Sequence, residues 1–298
     1  MGTDRRAIDV HTMMGHQHIG LGARCLGSLA KFSQEPVHVI VHEDGSVTEE
    51  DKEEFLARVP DSSFVMKKDA DPQMNDFLDR YPACKHLRDT LVSGLKIFDI
   101  QVLGSDENSA YTDCDILFLK PFAGLFQMPP DPNAGGVFMR DRIQAYCVRS
   151  TQLLLTPGLK LADRLNGGLL YFRRAAFDWD LVEWFLTHNQ FKVHPYWKEQ
   201  TAWSVLAAAT QSWMWSEKQV RVIASERDFD DDLVVAHFVS NYRSLLDKAP
   251  ANASSAAFPT KIVSVPGGEC TSLKLLLDEL KRKGQRMGLV SKTGRAFV

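Results

Sequence analysis

The sequence predicts an α/β fold, a mixed and mostly parallel central sheet with helices on both faces. Short buried-type strands alternate with segments of helical spacing along the N-terminal part of the chain, the pattern that places a parallel sheet under crossover helices. A later stretch, SAYTDCDILFLKPF over 109–122, reads as a buried strand interrupted by two carboxylates. In sheets of this kind a ligand lies at the carboxyl ends of the strands.

Residues 7–14 (AIDVHTMM) form the first expected strand, ending at Gly15. Leu21, Cys25, Leu26 and Leu29 then fall at helical spacing and place a helix over 20–32. After Pro36, residues 37–42 alternate as a second strand that runs into Glu43-Asp44-Gly45-Ser46. Thr48 with Asp51 three residues on marks a helix start, giving an acidic helix over 49–59 and a third strand over 63–66. One long helix is expected over 81–100, with Leu87, Leu91, Leu95 and Phe98 on its apolar side and Lys85, Arg88 and Lys96 as its charges. It leads through 101–103 and the loop 104–108 into the stretch that holds Asp113.

Further strands are expected over 137–139, 145–148, 169–172 and 233–238, the last delivering His237 at its end. Gly135-Gly136 and Asp141-Arg142 read as turns, 152–165 as a connection broken by Pro157-Gly158, and 177–188 and 198–209 as helices. The six tryptophans, all between 179 and 215, are read mainly as core. Beyond a small-residue linker at 250–259 come an edge strand over 261–265, an amphipathic helix over 272–283 and a basic, solvated tail over 281–298.

At 298 residues the chain can bury a substantial core as one large or two small domains. Its hydrophobic (44%) and charged (24%) fractions are ordinary, and a net charge of −3 gives no electrostatic reason to expect nucleic acid or an anionic membrane as the main partner. Cys25, Cys84, Cys114, Cys147 and Cys270 are scattered and odd in number, which argues for free thiols in a reducing compartment. The N-terminus lacks an apolar signal core, and no run approaches the roughly 18 apolar residues of a spanning helix. The expectation is a soluble cytoplasmic protein without a transmembrane segment, in which the sequon Asn252-Ala-Ser254 is accidental.

Carboxylates flanked by apolar residues are costly to bury unless cations meet them. In a strand, residues i and i+2 share a face, so Asp113 and Asp115 can share one partner, and oxygen ligands suit Mg²⁺, Ca²⁺ or Mn²⁺. The string D-x-D alone is weak. Asp69-Ala-Asp71, Asp178-Trp-Asp180, Asp228-Phe-Asp230 and Asp230-Asp-Asp232 also carry it, in polar or helix-like surroundings that read as solvated charges. Only Asp113-Cys-Asp115 sits inside an apolar run, a context that fits either a metal pair or a structural one. His16-Gln-His18 invites a metal reading, against which the two read as exposed loop histidines. Asn166-Gly167-Gly168 fits either a turn or a close approach of backbone to a ligand.

Taken in order, the nucleotide-type N-terminal half, YTDCDILFLKPF, NGGLLYF, KEQTAW and a terminal HF with a basic residue downstream resemble a GT-A fold glycosyltransferase. The resemblance is to the glycogenin and lipopolysaccharide galactosyltransferase-like group and covers about 7–245. It implies a catalytic domain over 1–250, divided into a nucleotide-binding half (1–122) and an acceptor half (123–250), with 251–298 as an extension. It also implies Mn²⁺ or Mg²⁺ held by Asp113, Asp115 and His237 against the diphosphate of a nucleotide sugar, a UDP-sugar by preference. Thr12, Met13, Met14 and Gly15 would embrace the base, Glu43 and Asp44 would meet base or ribose, and Lys96 would approach the donor. Thr112 and Cys114 flank the metal pair in the donor site. Asn166, Gly167 and Gly168 match the sugar-binding strand, and Glu199 and Gln200 the acidic-amide pair near the reacting carbon, with Asn166, Glu199 and Gln200 as catalytic candidates.

Two departures stand out. Glycogenin-type members carry Asp-Gln at Glu199-Gln200, and His-x-x-Gly-x-x-Lys where this chain has His237-Phe-Val-Ser-Asn-Tyr-Arg243, so Arg243 takes the place of a lysine. The implied activity is metal-dependent glycosyl transfer, leaning to retention, to a glycan, lipid, protein or small-molecule acceptor. The alternatives are a nucleotidyltransferase that makes nucleotide sugars, whose glycine-rich phosphate loop GHQHIGLGARC matches poorly, and a non-catalytic nucleotide-sugar binding protein.

Overall fold

The computed structural model describes residues 6–188, 195–250 and 258–286. Asn252, most of the expected linker and the expected tail beyond 286 lie outside the described residues. The N-terminal alternation is as expected: β1 (Ile8–Met14), α1 (Ile19–Phe32), β2 (Val37–Glu43), α2 (Glu49–Arg58) and β3 (Ser62–Val65). The Thr48 hydroxyl accepts from Asp51 N at 3.2 Å while the Asp51 carboxylate accepts from Thr48 N at 2.8 Å, a reciprocal cap that starts α2. A further helix, α3 (Lys67–Leu78), has no counterpart among the expected elements. Its buried stripe is only Ala70, Met74 and Leu78, set among charges, which leaves little periodic signal.

The single helix expected over 81–100 is two, α4 (Pro82–Thr90) and α5 (Ser93–Val102). Leu91 is extended (φ −130°, ψ 128°), and a Cβ on Gly94 would lie 2.4 Å from Arg88 Cα, so the chain folds back tightly. The turn brings Arg88 onto Asp99 with bonds of 2.7 and 2.8 Å from Nε and Nη2. In one straight helix those residues would be about 16 Å apart along the axis. A buried ion pair has replaced helical continuity.

Then follow β4 (Asn108–Thr112), β5 (Ile116–Phe118), β6 (Phe122–Ala123), β7 (Gly136–Arg140), α6 (Ser150–Leu155), β8 (Leu165–Arg173), α7 (Trp179–Thr187) and α8 (Lys198–Ala209). The chain continues through β9 (Trp213–Trp215), β10 (Val220–Val222), β11 (Val235–His237), β12 (Thr260–Lys261), β13 (Ser264–Pro266) and α9 (Ser272–Arg286). Residues 145–148 are buried but are not the expected strand. Their amides bond locally or to a side chain, as Tyr146 N does to Gln144 O and Cys147 N to Thr201 Oγ1.

The main sheet has the order β13-β9-β7-β8-β4-β1-β2-β3. Six of its eight strands run the same way, with β8 and β13 reversed. Side chains alternate between two apolar layers: Tyr111, Phe138, Leu170 and Phe172 pack with Trp203 on one face, and Ala110, Val137, Met139 and Leu169 pack with Phe55 and Trp215 on the other. All six tryptophans belong to these layers. Two small sheets, β10-β11-β5 and β12-β6, flank the main one.

One polar pair sits inside this frame. His11 Nδ1 and His42 Nε2 meet at 2.8 Å across β1 and β2, both rings buried. Burial and the neighbouring charge push His11 well below its ordinary 6.5 and His42 to about 4. The unfolded chain therefore binds protons that the folded one refuses, and stability is full above pH 6.5 and falls as pH drops toward 4. The expected slope is up to about 1.4 kcal/mol per pH unit for each histidine. Urea unfolding at pH 7 and pH 5 measures it, and a His11→Asn/His42→Asn variant should show a flatter dependence.

Candidate active site

Three strands bring the charged residues together. Asp113 and Asp115 occupy the crossing from β4 to β5, beyond the carboxyl end of β4. β11 pairs antiparallel with β5, so that His237 lies opposite Ile116, and Phe238 N donates to Asp115 O at 3.1 Å. A ligand atom from each of Asp113, Asp115 and His237 lies within 4.8 Å of the others. His237 Nε2 is 3.1 Å from Asp115 Oδ1 and 3.6 Å from Asp113 Oδ2.

Cations close the set. Lys96, buried on α5, has Nζ 3.1 Å from Asp113 Oδ1 and 3.6 Å from Glu199 Oε1. Arg243 donates through Nε to Asp115 Oδ2 at 2.9 Å, and its Nη1 lies 3.1 Å from His18 Nε2. Tyr111 OH donates to Asp113 Oδ1 at 2.7 Å. Burial pushes the Asp115 carboxyl up, but His237 and Arg243 outweigh it and hold the group at about 2. Burial alone would lower the His237 imidazole, yet Asp115 and Asp113 raise it above 6.5. Glu199 goes the other way: burial, offset only in part by Lys96, lifts it to about 7.

The residues fit a divalent cation. Two carboxylates and an imidazole on one point are a donor set suited to Mn²⁺ more than to Mg²⁺. Asp115 Oδ1 is buried and is met by the His237 ring at 3.1 Å. Asn166-Gly167-Gly168 supplies the close approach: Asp113 N donates to Gly168 O at 2.6 Å. A Cβ on Gly168 would lie 2.3 Å from His237 Cε1 and 2.8 Å from Asp113 Oδ2, and one on Gly167 would lie 2.9 Å from Glu199 Oε1.

The other expected residues divide between the site and its frame. Thr12, Met14 and Thr112 are buried, and Thr12 Oγ1 has no hydrogen-bond partner. Met13 packs on the apolar layer under α5. Gly15 abuts Asp44, whose Oδ2 would lie 2.2 Å from a Cβ there. The Glu43 carboxylate is spent on backbone amides, accepting from Gly45 N at 2.6 Å and Lys67 N at 2.5 Å, so it shapes the rim. Cys114 points into the core below the two aspartates. Asn166 is engaged at both ends of its amide, giving Nδ2 to Asp141 Oδ2 at 2.9 Å and accepting from Gly168 N at 2.8 Å. Gln200 Nε2 donates to Ala145 O at 3.0 Å. Glu199 Oε1 alone of this group is buried, on the cluster and without a hydrogen bond.

Sequence reasoning missed Tyr111 and Asp141. Asp141 is half-buried, orients Asn166 and accepts from Arg142 N at 2.7 Å. The only signal for it is its place directly after β7, at the carboxyl end of a strand that runs with β4. His16 lies apart from the cluster, with Nδ1 2.8 Å from Asp51 Oδ2.

The sequence matches no protein-family model and no curated protein. Solved structures are nonetheless similar. Galactosyltransferase LgtC, determined with donor and acceptor sugar analogues, aligns over 83% of this chain and 98% of its own at 10% identity, with a TM-score of 0.55. Mouse xyloside xylosyltransferase 1 aligns over 82% and 99% at 11% identity, with a TM-score of 0.54. The bifunctional glycosyltransferase WbbM aligns over 81% of this chain and 47% of its own at 9% identity, with a TM-score of 0.53. The chain has the GT-A fold. Within this GT-A framework the acidic cluster sits at the carboxyl ends of the parallel strands.

Gly168 keeps a backbone conformation open to any residue, so alanine there changes contacts alone. Gly168→Ala should weaken Mn²⁺ binding, titrated by electron paramagnetic resonance, by about tenfold or more. Gly20→Ala, whose Cβ would meet only Glu54 Oε1 at 3.7 Å, should bind as the wild type does.

Proposed function

We propose that this chain is a metal-dependent glycosyltransferase that moves a sugar from a nucleotide-sugar donor, a UDP-sugar by preference, to an acceptor hydroxyl. The observation that carries the proposal is the cluster of half-buried Asp113 with buried Asp115 and His237, and Glu199 beside it, at the strand ends of a GT-A fold. The relatives support its substrate class: LgtC was solved with donor and acceptor sugar analogues.

Asp113, Asp115 and His237 would hold the cation, which when bound supplies Lewis-acid stabilisation of the leaving diphosphate. Lys96 adds a second fixed positive charge on that side. Arg243 presents a guanidinium fork whose geometry suits phosphate as well as Asp115. Glu199, lifted to about 7, is balanced between its two protonation states near neutral pH. Its Oε1 can take a proton from an acceptor hydroxyl, or as carboxylate steady positive charge growing on the sugar ring. Asn166, Gln200 and Asp141 act by holding the strand and loop that face Glu199. Retention of anomeric configuration and a cytoplasmic setting, the latter in keeping with five unpaired thiols, belong to the same proposal.

The test is release of UDP from UDP-sugars with Mn²⁺ present or chelated. Turnover should require the metal, and Asp113→Ala and Asp115→Ala should each lower it by more than about a hundredfold, the scale of losing one preorganised charge-stabilising group. Wild-type turnover in both variants would sink the proposal. Donor binding without turnover for any acceptor would leave a binding protein instead. Product stereochemistry is read from the anomeric proton by NMR.

A further inference from the structure

Helix α9 shows water its apolar side. Leu273, Leu276, Leu277 and Leu280 follow one another at i, i+3, i+4 and i+7, and are 64, 40, 58 and 55% exposed. The opposite side holds the helix to the body. Leu275 is fully buried there, the Asp278 carboxylate accepts from Gln144 N at 2.5 Å, and Glu279 accepts from Ser150 N at 2.8 Å and Ser150 Oγ at 2.9 Å. Arg282 donates to Gln144 O at 3.2 Å and lies over the Trp197 ring. A surface helix of a globular protein normally turns such a leucine stripe inward.

Charge points to what covers it. Both carboxylates of α9 are turned to the body, while Lys281 and Lys283 flank the leucine stripe on either side. Helix α6, which Glu279 ties to α9, adds Leu154 and Leu155 at 71 and 76% exposure. The segment 142–162 around α6 carries Arg149 and Lys160, besides Arg142 that Asp228 pairs at 3.0 Å, and no acidic residue, within a chain whose net charge is −3. A second copy of this chain would set lysine-flanked leucines against the same, with no carboxylate to receive the lysines. Leucines rimmed by lysine and arginine instead match the interfacial helices that lie in a bilayer surface of anionic lipid. We infer that the α9 face, together with α6, docks this protein on an anionic membrane surface as a peripheral protein.

The face is connected to the site: Gln144, which α9 holds through Asp278 and Arg282, stands three residues from Asp141. Vesicle binding reads the face whether or not the chain transfers sugar. The full chain is floated with phosphatidylcholine vesicles and with vesicles of phosphatidylcholine and phosphatidylglycerol. The wild type should float with the anionic vesicles and be released by salt. Leu276→Glu/Leu277→Glu should lower that binding at least tenfold, and Lys281→Glu/Lys283→Glu should lower it and flatten its salt dependence. Both change side chains that are exposed or, at Lys281, half-exposed, and should leave the thermal midpoint and donor-site Mn²⁺ affinity unaltered. No binding to anionic vesicles, or a leucine variant that binds as the wild type does, overturns the inference. So does a concentration-dependent dimer lost in the leucine variant without vesicle binding, which assigns the face to a second copy.

Discussion

Two carboxylates one residue apart, Asp115 buried and Asp113 half-buried, set the condition that the surrounding structure has to meet. Charge removed from water at this separation costs several kcal/mol unless opposite charge is brought to it. Each source of that charge comes from a different part of the chain: Lys96 from α5, His237 from β11 and Arg243 from the turn beyond it. The fold features that seem incidental in the sequence serve this convergence. The break between α4 and α5 fixes where α5 lies, through Arg88 and Asp99. The short antiparallel pairing of β5 with β11 puts His237 opposite Ile116, next to Asp115.

Within the site, polar groups differ by whether their hydrogen bonds are already committed. Glu43, Asn166 and Gln200 are all tied to backbone or to Asp141 and so act as framework. Glu199 Oε1 and Thr12 Oγ1 are buried without a hydrogen bond, and Asp115 Oδ1 is met by the His237 ring at 3.1 Å. An unsatisfied buried oxygen is costly, on the order of 1–3 kcal/mol, and a fold retains several in one place where a ligand completes them. The two carboxyl groups shift in opposite directions: Asp115, with His237 and Arg243 against it, is held acidic, and Glu199, met only in part by Lys96, is lifted toward neutrality.

Strands and caps were legible because their signals are local. β1, β2 and the Thr48–Asp51 cap follow from neighbouring residues alone. The Asp113–Asp115 pair was legible from its apolar flanks, and its link to His237 came from motif order, since 122 residues of sequence hold no clue to the β5–β11 pairing. What the sequence hid is what tertiary packing decides. The apolar spacing of 81–100 is continuous although the chain folds back at Leu91, and the gain lies in an ion pair between residues 88 and 99. β9 is three residues long with tryptophan at both ends, too short for a periodicity to register, yet it sits inside the main sheet. Asp141 looked like a turn residue because its partners, Asn166 and Gln200, are remote in sequence.

The sheet's edges have a bearing on the order in which the protein is made. β3 at one edge is synthesised early, and the run β3-β2-β1-β4 can assemble from the first part of the chain as it leaves the ribosome. The opposite edge is different: β9 pairs with β13, about fifty residues later, and in the small flanking sheet β6 pairs with β12, later by more than twice that. Until those late strands arrive, β9 offers an unpaired edge with tryptophans at both ends, a surface prone to pairing with the wrong chain. The last stretch of polypeptide thus acts as the seal on a sheet whose chemistry was laid down long before it.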